Sequence, residues 1–175
     1  MSALSSHAYA APNLKSPDQI SLPFGAQVTV SAEHGDFFQT PVGFIPRQHV
    51  RAADDFFADP REVAKMFLGS PYLWGGNSAA GVDCSGLVQA ACHATGRACP
   101  GDSGPQQEFF PATQGDWAPG QLIFWPGHVA LTLSTTHLIH ANAHAMAVCI
   151  EAIDLTIARI EAAGDGPMLQ RSQLI

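Results

Sequence analysis

A chain of 175 residues has room for one catalytic domain with a small companion, and 46% hydrophobic against 13% charged residues is a composition that builds a packed core. A net charge of −7, with 8 Lys and Arg scattered along the whole length, argues against nucleic acid or an anionic membrane as partner. No apolar run approaches the roughly 20 residues of a membrane span, and the start, MSALSSHAYAAPNLKSPDQ, shows neither the basic nor the apolar region of a secretory signal, which points to the cytoplasm.

Residues 1–19, rich in Ser, Ala and Pro, read as an irregular entry segment. From 20 to 52 the texture is that of short strands: Gln27–Val30 alternates polar and apolar, His34-Gly35-Asp36 is a turn signal, and Phe37–Thr40 and Gly43–Pro46 follow, which suggests a small barrel. Pro60 opens a helix that buries Val63, Ala64, Phe67 and Leu68 and stops at Gly69. Pro71, Gly75, Gly76 and Gly81 mark an irregular loop, after which residues 84–95 form a helix ended by Gly96. Gln121–Trp125, His128–Leu133, His137–Ala141 and Ala147–Ile150 are strand candidates, and 155–163 a last helix. Helices followed by a strand meander predict an α+β domain over 53–175 rather than a parallel sheet.

The four cysteines, 84, 92, 99 and 149, include no C-x-x-C pair, so neither a zinc knuckle nor a disulfide framework is indicated. Cys92, Cys99 and Cys149 read as buried thiols. Cys84 is different: it follows a glycine-rich loop and opens a helix, where unpaired N–H groups and the helix dipole favour a thiolate, with Asp83 as the N-cap and Gly86 leaving room for a substrate backbone. A cysteine nucleophile needs an imidazole base and a group to orient that base. His128, at the mouth of a strand, is the candidate base. His140 pairs beside it if 128–133 and 137–141 form a hairpin, though Asn142 and His144 compete for the orienting role. The spacing of His137, His140 and His144 resembles a metal-binding helix face, but no Glu completes an H-E-x-x-H pattern and the context is strand-like, so no metal and no cofactor is expected.

PYLWGG at 71–76, DCSGLVQ at 83–89, GDW-x-PGQLIFW at 115–125, GHVAL at 127–131 and HLIHANA at 137–143 resemble, in order and spacing, the NlpC-type cysteine peptidases that cleave bacterial cell-wall peptides. The resemblance implies a papain-like α+β core with a Cys84, His128, His140 triad. It also implies that Tyr72 lies near the nucleophile and supports the oxyanion, that Asp83 and Ser85 receive the amino end and γ-D-glutamyl part of the substrate, and that Asp102 and Ser103 line the same pocket. The substrate it implies is L-Ala-γ-D-Glu followed by a diamino acid, a short murein peptide cut before the diamino acid. Residues 20–52, with FGAQVTV and GFIPRQHV at their ends, resemble the SH3-like module that precedes such domains and narrows the site to peptides with a free N-terminal L-Ala. A Cys84–His128 ion pair is expected to depress the thiol pKa. The alternatives are a phage-type or secreted lysin acting on intact wall, and a wall-peptide binding module without catalysis.

Overall fold

The structure, a computed structural model, describes residues 1–174 and divides into two compact units between Phe56 and Phe57. In the first unit β1 (Ser5–Tyr9), β2 (Asp18–Pro23), β3 (Ala32–His34), β4 (Phe37–Thr40) and β5 (Gly43–Pro46) form one antiparallel sheet in the order β2-β1-β5-β4-β3. Ala8, Leu22 and Ile45 make its small core, covered by Met1, Ala26, Val28 and Val50.

Two sequence expectations fail here. Residues 1–19 are not irregular: Ser5–Tyr9 is a strand whose inward residues are the small Ser6 and Ala8, so it carries little hydrophobic signal. Gln27–Val30 is not a strand. Its alternation reports Val28 packing on the core, while the edge position in the sheet is taken by β3, so the segment has no ladder to join.

In the second unit the order is α1 (Pro60–Met66), the short pair β6 (Asn77–Ser78) and β7 (Gly81–Val82), α2 (Cys84–Ala94), α3 (Ser103–Phe109), then β8 (Gln121–Trp125), β9 (His128–Thr132), β10 (His137–Asn142), β11 (Ala147–Ala152), α4 (Ile153–Ala163) and β12 (Gln170–Gln173). It is an α+β unit on a sheet ordered β11-β10-β9-β8-β12, with every neighbouring pair antiparallel. The first helix starts where expected because Asp59 caps it, accepting from Arg61 N at 2.8 Å with Pro60 in the first turn. Helices α1 and α2 pack on each other, and α2 packs on β9 and β10. Ile153 and Ile160 of α4 lie on Ile123, Trp125, Ala130 and Leu138 of the sheet. Among the described residues no helix is long and apolar enough to cross a membrane.

Neither α3 nor β12 is foreseen by the hydrophobic pattern. Gln106 of α3 is fully buried, donating to the carbonyls of Ser85 at 3.0 Å and Pro100 at 2.9 Å, and Ser172 of β12 is fully buried opposite Leu122. Both elements are held by backbone and amide hydrogen bonds rather than by apolar side chains.

Candidate active site

Asp83 organises the loop-to-helix corner through local hydrogen bonding. One carboxylate oxygen accepts from Gly86 N at 2.7 Å and from the Ser85 hydroxyl at 3.0 Å; the other accepts from Gly75 N at 2.8 Å. The cap therefore also ties the 72–76 loop to the start of α2, which turns the Cys84 side chain toward the sheet. The fit is close: a Cβ on Gly86 would stand 2.4 Å from the carbonyl oxygen of Gly76. Gly86→Ala is expected to cost about 2–3 kcal/mol by overpacking against backbone that has no rotamer to yield. Urea unfolding of the variant checks this; an unchanged midpoint would mean the loop moves freely.

The Cys84 thiol is 6% exposed and its Sγ stands 4.0 Å from the carbonyl oxygen of Gly127, the residue before His128. Burial pushes its pKa up, against the downward pull of the backbone N–H groups of Val129, Ser85 and Cys84 itself. Burial also takes His128 down to about 3, helped by the charges of His140 and Arg159. Burial thus works against the depressed thiol expected of a Cys84–His128 ion pair, raising the thiol and lowering the imidazole.

The β9–β10 ladder pairs Leu138 with Thr132, so His128 and His140 project from the same face of the sheet. Their rings meet: His128 Nε2 lies 2.8 Å from His140 Nδ1. His140 is 1% exposed and opposes Cys149 on β11. His137 and His144 are both exposed, and His137 lies on the opposite face of β10 from His140, so the three do not form the helical ligand face their spacing suggested. Asn142 is buried next to His140, its Nδ2 2.8 Å from His140 Nε2 and 3.1 Å from Cys149 Sγ.

Two charged residues that sequence reading does not single out lie beyond His140. Glu151 Oε2 is 2.6 Å from His140 Nε2 and 2.6 Å from Arg159 Nη2. The signal for Glu151 lies in the register: His140 pairs with Cys149, so Glu151 is its diagonal neighbour on the same face of β11. His140, Cys149 and Glu151 offer ligand atoms within 4.8 Å of one another, a spacing a metal ion could use, but the carboxylate is already engaged by the Arg159 guanidinium.

Of the residues implied for substrate, Tyr72 is half-buried, and burial, with the charges of Cys84 and Asp83, pushes its phenol up. Asp83 and Asp102 line one cleft of about 200 Å³ together with Asn77 and Gln89. Ser85 is 5% exposed with its hydroxyl turned to Asp83, and Ser103 is half-buried in the first turn of α3.

Residues 69–159 match the NlpC/P60 family. The chain is similar to the gamma-D-glutamyl-L-lysine dipeptidyl-peptidase of Bacillus cereus, 34% identical over 141 residues, which is 73% of this chain and 40% of that protein. It is also similar to dipeptidyl-peptidase 6 of Lysinibacillus sphaericus, 36% identical over 124 residues, 65% of this chain and 45% of that one. It thus spans less than half the length of either relative. A solved NlpC/P60 family protein from Bacillus cereus has the same fold across 99% of this chain and 61% of its own, with a TM-score of 0.81 at 24% identity. A peptidoglycan hydrolase of Mycobacterium tuberculosis, RipB, aligns over 66% of this chain and 63% of its own with a TM-score of 0.56 at 27% identity. The family match takes in the whole corner from the 72–76 loop through α2 to the β8–β11 sheet, and the chain belongs to the NlpC/P60 family of cysteine peptidases.

Proposed function

We propose that this chain hydrolyses the bond between the γ-D-glutamyl group and the diamino acid of short peptidoglycan stem peptides that carry a free N-terminal L-Ala. The observation that carries the reading is the His128–His140 hydrogen bond of 2.8 Å beside a thiol at a capped helix start, in a chain 34% identical over 141 residues to a gamma-D-glutamyl-L-lysine dipeptidyl-peptidase. Cys84 is the nucleophile, His128 the base and His140 its orienting partner. As the substrate carbonyl closes on Sγ, the thiol proton passes to His128 and the sulfur–carbon bond forms. The resulting oxyanion is met by N–H groups at the start of α2 and by the Tyr72 hydroxyl. His128 then protonates the leaving amine, and water deprotonated by the same imidazole hydrolyses the thioester.

The carboxylates of Asp83 and Asp102 at one cleft favour a cationic α-amino group, with Ser85 and Ser103 beside them, which supports an exopeptidase-like grip on a short peptide. We read the first unit, with its five antiparallel strands, as an SH3-like module. The protein is expected to release the diamino acid from L-Ala-γ-D-Glu-diaminopimelate, seen by mass spectrometry, and to cleave the N-acetylated peptide at least a hundred-fold more slowly. Equal rates on both peptides would refute the free-amine grip. No product from the tripeptide, digested wall or intact sacculi would refute the activity.

A further inference from the structure

We propose that Glu151 is a positioning residue for this site, holding His140 in the one tautomer that leaves His128 basic at Nδ1. The proposal rests on the reading of Cys84, His128 and His140 as the reacting set.

The links run His128 Nε2 to His140 Nδ1 at 2.8 Å, His140 Nε2 to Glu151 Oε2 at 2.6 Å, and Glu151 Oε2 to Arg159 Nη2 at 2.6 Å. A neutral imidazole has one N–H and one lone pair, and a carboxylate only accepts. Glu151 is ionised, since its bonds to His140 and Arg159 bring its pKa down to about 2 against the upward effect of burial. His140 therefore carries its hydrogen on Nε2 and presents the Nδ1 lone pair to His128. His128 must donate from Nε2, which leaves Nδ1 with the free lone pair that a thiol proton requires.

Asn142 pulls the other way. Its amide orientation is set by Oδ1, which accepts from Ala145 N at 2.7 Å, so its Nδ2–H₂ stands 2.8 Å from His140 Nε2 and asks for a lone pair there. With Glu151 present the amide hydrogen has another acceptor, Cys149 Sγ at 3.1 Å, and the His140 hydrogen goes to the carboxylate. Without Glu151, Asn142 is left as the partner of Nε2. The hydrogen of His140 moves to Nδ1, His128 is forced to accept at Nε2, and its own hydrogen sits on Nδ1. The base is then blocked while every side chain of the reacting set remains in place.

The titratable groups around this pair of rings are Glu151 and Cys149 from β11 and Arg159 from α4, with Cys84 of α2 against the backbone on either side of His128. Of these, Glu151 is the one that raises His128, so its loss also moves the acid limb of the pH–rate profile, where His128 takes up a proton, to lower pH.

The test is imidazole-nitrogen NMR on the full chain, which reads tautomers without substrate, combined with kinetics on the tripeptide. Wild type is expected to show His128 hydrogenated at Nε2, and Glu151→Ala to show it at Nδ1. In Glu151→Ala, kcat is expected to fall on the order of a hundred- to a thousand-fold with KM nearly unchanged, short of the roughly 10⁴ for a directly bonded orienting group. Adding Asn142→Asp, which returns a carboxylate to His140 Nε2 from the other side, is expected to restore at least ten-fold and to return the Nε2–H form of His128. A merely structural role for Glu151 would not be rescued that way. Should Glu151→Ala fail to fold, Glu151→Gln keeps the shape and removes the charge, and an acid limb moved to lower pH in that variant supports the proposal. An unchanged His128 tautomer in Glu151→Ala, or an unchanged acid limb in the Gln variant, overturns it. Activity retained by Cys84→Ala would instead bring down the underlying triad, a separate outcome.

Discussion

Cys84→Ala is expected to lower turnover of the tripeptide by four to six orders of magnitude while the melting temperature stays within a few degrees of wild type. The size follows from the chemistry: without the sulfur no acyl-enzyme forms, and what remains is positioning plus the oxyanion donors, on the order of 10³-fold over water in comparable triads. The structural cost is small because Cys84 already sits at a helix start in a well-packed corner, and Ala is a good helix former. His128→Gln and the double variant Cys84→Ala/His128→Gln are expected to fall to a similar level, since groups that act as one unit do not lose activity additively. Comparing the three by mass spectrometry at long incubation decides the matter. Losses that multiply would mean that Cys84 and His128 act in separate steps.

The second large effect is on stability against pH. His128 has a folded-state pKa of about 3 against an ordinary value of 6.5. Below 6.5 the unfolded chain takes up a proton that the folded chain refuses, so stability falls as the pH drops from 6.5 toward 3 and is insensitive to this group above that window. Each pH unit inside it costs about 1.4 kcal/mol, and the whole interval roughly 5 kcal/mol. His140, also lowered by burial, acts in the same direction. Glu151 is shifted down from 4.5, so its contribution is present above that pH and is lost only as the pH falls further. Between pH 6.5 and 5 the histidines therefore dominate. Denaturant unfolding across that range is expected to show His128→Gln losing about 2 kcal/mol less than wild type. Parallel curves for the two proteins would show that water reaches the His128 ring.

The parts of the fold that sequence exposes are those whose signal is local. Asp83, the glycine-rich loop and the apolar stripe of α2 announce a capped helix because the cap bond joins Asp83 to Gly86, three residues on. β8 and β9 announce themselves by the apolar runs 122–125 and 129–131, which are buried on both faces. β1 and β12 stay hidden because their inward residues are Ser6, Ala8 and Ser172, small or polar side chains buried by backbone pairing rather than by hydrophobicity. α3 stays hidden for a similar reason: a proline and two glutamines fill a short helix that Gln106 anchors through carbonyl contacts. At the site, pattern alone narrows the orienting group to His140, Asn142 and His144. The structure turns His144 outward and stacks the other two on one face. Glu151 and Arg159 are out of reach of any local rule, since meeting His140 requires the β10–β11 register and the placement of α4 together.

The pairing of β12 with β8 also bears on how the chain is made. Gln121–Trp125 is an uncharged, proline-free run of five buried residues, and β9 covers only one of its two hydrogen-bonding edges. The other edge is closed by Gln170–Gln173, which leaves the ribosome later. At roughly 5–20 residues per second, the nascent sheet shows that edge for seconds. An open apolar edge of this kind pairs readily with its own copies. The hydrophilic strand that contributes so little to the core is thus a seal, and crowded translation is the circumstance in which the molecule depends on it most.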